Sequence, residues 1–358
     1  MKQVYLSLLL AGLTAAPALG QKTTVNAFPK PLAPVANAGM KAPQFHLPSA
    51  IDDKKKGITM YAGQRLDQSK HRSWVKWQTG DSFNFTKIYE YIHHDKYNED
   101  QQRGIYMGAY DSSNDTYYAF FNMHYTFGDM PMALAKVDML TGDTTNVFQF
   151  ADLAEPDVEQ TAWYNGRYKY AMAYDPVKEV MYALGADYEN GDPNLGYTVL
   201  YEVNLNATTL NDLFTKVKDM DGLYWDFCFD TQGNAWFAQK YGGSDGIVKG
   251  TNLVKMDGDF NRISEVKMQS EWGEDINSIY FSTMYFDNST GDLYYLPCSD
   301  YGSTSLYKVN PTTGISQSVA WFNQGNHFTG LYIPYLTADN GAAPARVSGL
   351  DAQADLNG

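Results

Sequence analysis

Three acidic residues are the best candidates for catalysis in this chain. Asp226 enters an apolar run, and Glu274 with Asp275 stands shortly before another. Two carboxyl groups that flank a pocket can cleave a glycosidic bond, one as acid and the other as base or nucleophile. Acidic side chains are common in this chain, so glycan cleavage by a hydrolase or lyase is one hypothesis rather than the main one.

Aromatic rings offer a second kind of chemistry, because flat rings beside polar groups suit the faces of sugars or a protein partner. Several of them fall in or beside the segments that connect the repeated units described below. We predict a ligand site built from these residues and one histidine: Trp163, Tyr164, Tyr168, Tyr224, Trp225, Trp272 and His327. The alternative for each ring is packing between the units, since Trp and Tyr are well buried on average.

Metal ligation has weaker support in the sequence. Its candidates are loop histidines and an acidic stretch that resembles a calcium loop: His93, His94, His124, Asp187 and Asp192. Imidazole and carboxylate are common ligands, but these spacings match no ligand motif, and the stretch lacks the terminal bidentate Glu of a calcium loop. We therefore predict no metal and no cofactor.

The composition favours β-structure and argues against a nucleic-acid partner. Of the 358 residues, 15% are aromatic, with 28 Tyr and 18 Phe. Such residues suit the pleated, half-buried surface of a sheet. The net charge is −14, from 27 basic and 41 acidic residues, so phosphate backbones repel the chain.

The amino end has the pattern of a secretory signal peptide. Lys2 is followed by the apolar run Val4–Ala16 and the small-residue site Ala18-Leu19-Gly20. We predict cleavage before Gln21 and a secreted or cell-envelope protein, because the run is short for a membrane span. No other segment is apolar enough to span a membrane. We also expect the protein to be a monomer.

The body of the chain repeats one pattern. An apolar run ends in an aspartate, a short turn follows, and a second apolar run begins, as in MAYDPVKEVMYAL at Met172–Leu184. The aspartates are Asp111, Asp175, Asp230 and Asp287. We predict that each accepts the backbone N–H two residues on and closes its turn. A second pattern, such as LYKVNPTTGI at Leu306–Ile315, follows each time and predicts a turn in which Gly takes positive φ.

Each unit thus holds four short strands, which is typical of a β-propeller blade. The amino end supplies three further strands in Ile58–Gln64 and Trp74–Ile88, and the carboxyl end supplies one in Phe328–Leu336. We predict an all-β fold, a five-bladed β-propeller closed by one C-terminal plus three N-terminal strands, with few helices. The alternative is an open sandwich of similar hairpins.

The predicted propeller divides the chain into four parts. They are residues 1–20 (signal peptide), 21–57 (extended Pro-rich lead-in), 58–336 (propeller) and 337–358 (linker and start of a truncated module). In this topology Cys228 and Cys298 lie near opposite faces of the disc, too far apart to pair. We predict two unpaired thiols.

Function should lie on one face of the disc. The loops between the second and third strands, and those between blades, are long and share a face. The Asp-headed turns are short and lie on the other. The candidate aromatic residues and four of the six histidines fall in or beside the long loops, which directs the search for a ligand there.

The YD-x-x-x-G-x-LYY and LYKVNPTTG units resemble those of secreted bacterial propellers that precede fibronectin type III modules, and the terminal APARVSGLDAQADLNG resembles the first strand of such a module. The resemblance implies an adhesion or binding role without a cofactor, and it supplies no catalytic residues. We predict a non-catalytic propeller that binds glycan or protein through its long-loop face. The alternatives are the glycan-cleaving enzyme and a scaffold or spacer.

Overall fold

The computed structural model describes residues 58–66, 73–79, 85–91, 104–114, 116–125, 128–149, 169–186, 197–207, 210–242, 248–278, 282–287, 290–297, 304–322 and 326–333. The predicted signal peptide, lead-in and carboxyl-terminal linker lie outside these residues. In the described part no helix is long and apolar enough to cross a membrane.

The apolar runs of the repeat form five antiparallel sheets, which are the five blades. Blade 1 begins with β1 (Thr59–Leu66), β2 (Ser73–Gln78) and β3 (Thr86–Glu90), and blade 2 holds β4 (Gly104–Asp111), β5 (Thr116–Tyr125), β6 (Gly128–Val137) and β7 (Thr144–Gln149). Blade 3 holds β8 (Lys169–Asp175), β9 (Val180–Ala186), β10 (Thr198–Val203) and β11 (Phe214–Asp219), with one helical turn, α1 (Leu210–Leu213), before its last strand. Blade 4 holds β12 (Tyr224–Phe229), β13 (Ala235–Gly242), β14 (Val248–Met256) and β15 (Arg262–Lys267). Blade 5 holds β17 (Ser282–Asp287), β18 (Asp292–Pro297), β19 (Thr304–Val309) and β20 (Ile315–Phe322), preceded by the short β16 (Gln269–Ser270).

Strand β21 (His327–Tyr332) closes the ring. It pairs antiparallel with β1, so that Tyr61 faces Tyr332 and Gln64 faces Phe328. The Gln64 amide Nε2 also donates to Asn326 Oδ1 at 2.9 Å. Blade 1 therefore has the order β21-β1-β2-β3, which confirms the predicted closure by one carboxyl-terminal and three amino-terminal strands.

Three of the four repeated aspartates close their turns as predicted; for Asp287 the residue two on lies outside the described part of the chain. Oδ1 of Asp111, Asp175 and Asp230 accepts the backbone N–H two residues on, at 2.8, 2.8 and 3.0 Å. Asp287 accepts the hydroxyl of Thr290 at 2.9 Å. All four are at most 3% exposed, which explains why a short carboxylate that satisfies the turn recurs there.

The second turn of each unit uses the same device one hairpin later. Oδ1 of Asp138, Asn204, Asp257 and Asn310 accepts a backbone N–H two residues on, at 2.9 to 3.0 Å. Gly142 and Gly314 take the predicted positive φ, at 78° and 73°. In blade 4 the buried Phe260 takes φ 60° instead, and its ring packs 5.2 Å from Tyr182 of blade 3.

The turn aspartates differ in what they hold, which gives a test of their role. Asp230 also accepts the indole N–H of Trp236 at 3.0 Å and the backbone N–H of Asn234 at 2.9 Å. Asp175 Oδ2, in contrast, has no hydrogen-bond partner among the described residues. We expect Asp230→Ala to lower the free energy of unfolding by about 2 kcal/mol and Asp175→Ala by about 1 kcal/mol. Equal losses in urea unfolding would contradict this ranking.

One pairing was not predicted. Gln269 and Ser270 pair in parallel with Ile315 and Ser316 at the start of β20, the outermost strand of blade 5. The backbone N–H of Glu271 continues the contact, to Ser316 O at 3.1 Å. The connection between blades 4 and 5 is therefore fastened to the outer edge of blade 5.

Of the two cysteines, the structure describes one. Cys228 lies on the innermost strand β12, is buried, and has a free thiol. Cys298 lies outside the described residues, so the predicted pair of unpaired thiols stays a prediction.

Candidate functional site

The five innermost strands surround a cavity on the axis of the ring. The space that the centres of water molecules can reach is ≈ 40 Å³. The first lining residues on the five strands are Gly108, Met172, Asp226, Thr283 and Gly330, which in blades 2 to 5 lie three or four residues before the turn aspartate. The turn residues Ser112 and Pro176 also line it. The cavity therefore extends from the level of Asp226 towards the face that carries the Asp-headed turns.

Asp226 is the one carboxyl group among the described lining residues, and it is 5% exposed. Its Oδ2 accepts the backbone N–H of Met284 on the neighbouring β17, at 2.7 Å. Burial raises the pKa of Asp226 well above the ordinary carboxyl range, against the opposing effect of hydrogen bonds from Phe227 N–H, Met284 N–H and the Thr283 hydroxyl. The Thr283 hydroxyl in turn accepts Leu331 N–H at 2.8 Å, which connects blades 4, 5 and 1.

The internal repeat marks Asp226 as a departure from the blade pattern. Four residues before the turn aspartate, blades 2, 3 and 5 have Met107, Ala171 and Thr283. Burying a carboxyl group costs free energy of folding, and the other blades have no carboxyl group at this position. Such local exceptions to a repeat are expected at functional or strained sites.

The structure does not bring the other two acidic candidates to Asp226. Asp275 lies against the outermost strand of blade 4, where it accepts Lys267 Nζ at 2.7 Å and the Tyr241 hydroxyl at 2.6 Å. These contacts lower the pKa of Asp275 to about 2. Glu274 is exposed in the same segment. Asp226 is on an innermost strand, so no described contact joins the three into a carboxylate pair.

Trp272 has the most exposed large apolar side chain in the described part of the chain, at 71%. It sits at the tip of a tight turn in which Ser270 N–H donates to Glu274 O at 2.7 Å and Gly273 N–H to Ser270 O at 2.9 Å. Gly273 has φ 83°, with open space around it. The turn is thus held by its own hydrogen bonds, and the ring projects from it.

The other described aromatic candidates are more enclosed. Tyr224 is completely buried, and its hydroxyl donates to Asp221 and accepts Arg262 Nη2 at 3.0 Å. The ring belongs to the apolar cluster that joins blades 2, 3 and 4, so it serves the packing between blades rather than an exposed surface, and burial raises the pKa of its hydroxyl.

Trp225 and His327 are half-buried. A register shift between Tyr224 and Asp226 places Trp225 on a β-bulge, and the Lys240 ammonium lies 5.4 Å from its ring centroid. Blades 2 and 3 have the same bulge at Tyr106 and Tyr170, so it belongs to the repeat.

Several predicted site residues lie outside the described part of the chain. They are Trp163, Tyr164, Tyr168, His93, His94, Asp187 and Asp192. His124 lies on β5, but its side chain is not described. Among the described residues, no three His, Cys, Asp or Glu side chains gather as a metal site would require.

The sequence interpretation missed the polar partners that surround the base of the Trp272 turn. Gln269 Nε2 donates to Asp275 Oδ1 at 2.8 Å and to Gly273 O at 3.3 Å, while Tyr241 and Lys267 hold the other carboxylate oxygen. Tyr241 lies 34 residues from Asp275, so the sequence gives no sign of this cluster. The pairing of β16 with β20 brings Trp272 to the edge of blade 5.

The fold defines the chain as a five-bladed β-propeller. No protein-family model matches its sequence, and no curated protein is significantly similar to it. Among solved structures it is similar to an exo-β-1,3-galactanase from Phanerochaete chrysosporium, at 10% identity and a TM-score of 0.42, over 73% of this chain and 67% of that one. It is similar to a periplasmic gluconolactonase from Pseudomonas aeruginosa at 7% identity and a TM-score of 0.36, over 74% and 83%.

A third similar structure is a GH43 glycoside hydrolase engineered to show both endo-xylanase and exo-arabinofuranosidase activity. The match has 14% identity and a TM-score of 0.36, and it spans 61% of this chain but only 40% of that enzyme. Similarities this low say nothing about activity, which the residues of this chain must decide.

Proposed function

We propose that the chain is an exported, non-catalytic propeller that binds a glycan at its surface. One observation carries the proposal: the Trp272 ring is 71% exposed on a turn that two backbone hydrogen bonds close and a third, from Glu271 N–H to Ser316 O, fastens to blade 5. An aromatic ring on a backbone that is already held in place loses less conformational entropy on binding than a ring on an unstructured loop. The signal-peptide pattern at the amino end supports export.

The surroundings of Trp272 suit a sugar better than an apolar protein surface. A sugar ring presents C–H groups to an aromatic face and hydroxyl groups at its edge. The turn provides the ring, and Glu271 and Glu274, exposed on either side of Trp272 in the sequence, provide carboxylates that can accept sugar hydroxyl groups. We therefore give glycan preference over a protein ligand, which remains an outcome of the test.

We expect Trp272→Ala to reduce glycan binding at least tenfold, because truncating a central aromatic anchor typically costs about 2 kcal/mol or more. Retention on a glycan array measures the effect. The melting temperature should hardly change, since the ring is mostly in solvent. Ile263→Ala, which truncates another exposed apolar side chain (53% exposed) on β15, is the matched control. Undiminished retention of the Trp272 variant would contradict the proposal, as would an array on which the parent protein binds nothing; the latter result would favour a spacer.

Glycan cleavage is the second candidate, and the buried Asp226 favours it. A raised carboxyl pKa is what a general acid needs. However, ≈ 40 Å³ has room for one or a few water molecules, whereas ligand pockets usually measure about 300–1,000 Å³. Release of reducing sugar from array-positive glycans that disappears in Asp226→Asn would establish the enzyme and overturn the binding proposal.

A further inference from the structure

We infer that Lys240, beside Trp225, anchors a second binding site, which takes the carboxylate of an acidic sugar on a glycan. The site lies on the two inner strands of blade 4, β12 and β13, whereas Trp272 lies at the outer edge of blade 5. The class of ligand rests on the proposed glycan binding. The inference also gives a role to Trp225, which the sequence places among the candidate ligand residues.

Lys240 is a half-buried cation with no carboxylate partner in the described part of the chain. It lies near the end of β13, where the loop between the second and third strands begins. Its Nζ lies 5.4 Å from the ring centroid of Trp225. Burial lowers the pKa of Lys240, and no described carboxylate opposes that effect. Burying an ammonium group costs free energy unless a negative group pairs with it, and a ligand can supply that group.

Lys255 on β14 shows what a lysine in the same blade has when its role is structural. Its Nζ also lies against a tryptophan, 4.9 Å from the ring centroid of Trp236. Unlike Lys240, it has a carboxylate as well, with Asp230 Oδ2 at 3.8 Å. Three other lysines each have a carboxylate oxygen within 2.7 Å: Lys216, Lys267 and Lys308. Lys240 therefore departs from the way in which this chain pairs its lysines.

A cluster of buried hydroxyl groups lies on the same side of blade 4. Thr251 is directly opposite Lys240 in the pairing of β13 with β14, so the two side chains project from one face of the sheet. The Thr251 hydroxyl lies near those of Ser282 and Tyr295 on blade 5. None of the three makes a hydrogen bond of regular geometry with a described residue. Such groups suit an ordered water, through which they can donate to an anion held by Lys240.

Asp226 faces the same interface between blades 4 and 5. Its Oδ2 accepts the backbone N–H of Met284 on blade 5. Burial raises the pKa of Asp226, which favours the neutral carboxyl group. A neutral carboxyl group neither repels a bound carboxylate nor neutralises Lys240.

The number of positive charges selects the ligand. Arg262 of the same blade is already held by Asp221 at 2.9 Å, so Lys240 offers a single charge. Phosphate groups are usually met by several charged donors, and the net charge of −14 repels polyanions. The Trp225 ring beside the ammonium suits the C–H face of a sugar. Together these features describe one uronic or sialic acid on an otherwise neutral glycan.

The test is titration calorimetry with sialyllactose and with xylotriose that carries one glucuronic acid, each as the free acid and as the methyl ester. We expect the free acids to bind about tenfold more tightly than the esters, because only the acids can pair with Lys240. Lys240→Met keeps the aliphatic stem and should abolish this difference. Its melting temperature should not fall, because the charge that it removes has no partner to lose.

The matched control is Lys136→Met in blade 2. This lysine also lies beside an aromatic ring, 5.7 Å from the centroid of Tyr118, but it is exposed to solvent. The control should keep the preference of the parent protein for the free acids. Equal binding of acids and esters by the parent protein would overturn the inference, and so would an undiminished preference in Lys240→Met. Tighter binding of sulfated lactose than of sialyllactose would overturn the assignment of a carboxylate.

The outcomes also separate this site from the proposed function. If no acidic sugar binds while neutral glycans are retained on the array through Trp272, the inference is overturned and the proposed function stands. If acidic sugars bind through Lys240 while Trp272→Ala leaves retention undiminished, the proposed role of Trp272 is overturned and the inference stands. If no glycan of either kind binds, both are overturned.

Discussion

Replacing Gly330 with alanine is expected to lower the free energy of unfolding by about 2–5 kcal/mol. Gly330 lies on the closing strand β21 with φ 60°, a conformation that costs other residues about 1–2 kcal/mol. A Cβ there would also lie 2.1 Å from the Tyr117 hydroxyl and 3.0 Å from Gly108 O. Overpacking of a buried site adds about 1–3 kcal/mol.

The contact cannot relax easily, because Tyr117 is fully buried and its hydroxyl donates to Gly330 O at 2.6 Å. A Cβ on Gly108 would meet the same hydroxyl at 2.4 Å. The two glycines thus leave the space into which a tyrosine of blade 2 reaches the closing strand of blade 1. A methyl group added at Gly330 should therefore also weaken the pairing of β21 with β1 that closes the ring.

Gly291→Ala is the matched control for Gly330→Ala. Gly291 has φ 77°, but nothing lies within 4 Å of an added Cβ, so only the backbone cost of about 1 kcal/mol applies. Combining Gly330→Ala with Tyr117→Phe removes the clashing hydroxyl, and the double variant should lose less stability than the two single losses summed. Urea unfolding of the parent and of the four variants, with Tyr117→Phe alone among them, measures these losses. Equal losses in Gly330→Ala and Gly291→Ala would show that the Tyr117 contact is not tight.

The second large effect is expected at Asp226, as a fall in stability when pH rises above about 4. Burial raises the pKa of this carboxyl above its unfolded value of about 3.9, more than its hydrogen bonds lower it. Between the two values the folded protein holds a proton that the unfolded chain has lost. The contribution of Asp226 to the free energy of unfolding is therefore fully present below the unfolded pKa. It is lost as pH rises through the folded pKa, at up to about 1.4 kcal/mol per pH unit.

Asp226→Asn should flatten this dependence, because the amide does not titrate. Comparing unfolding free energies of variant and parent between pH 4 and pH 8 isolates the difference. Asp275 does not interfere, since its pKa is lowered to about 2 and its effect is confined to more acidic solutions. Parallel profiles for parent and variant would mean that Asp226 titrates normally despite its burial.

The fold was predictable because the turns repeat in residues that have one clear physical task. Asp111, Asp175, Asp230 and Asp287 recur where a buried carboxylate closes a turn, and their spacing marked four of the five blades. The predicted strand before β1 had to come from elsewhere in the chain. The lone apolar segment near Phe328 supplied it, and the pairing of Gln64 with Phe328 confirms the closure.

The candidate site was less predictable, since it depends on contacts that leave no periodic signal. Two residues, Gln269 and Ser270, make the parallel pairing that carries Trp272 to the outer edge of blade 5. Tyr224 and Trp225 are neighbours of similar chemistry, yet one is fully buried and the other half-exposed because a bulge lies between Tyr224 and Asp226. The departure of Asp226 from Met107, Ala171 and Thr283 was present in the repeat and could have been found there.

The closure of blade 1 sets an order of events for the nascent chain. The hydrogen bond between Gln64 and Asn326 spans 262 residues, so β1 has no inner neighbour until almost all of the propeller has been synthesised. Closing so large a loop carries an entropic cost that only the finished ring offsets. Until then, two open edges can pair wrongly. If the chain is exported, its last strand must emerge before the first can settle, which suits a protein that crosses a membrane unfolded.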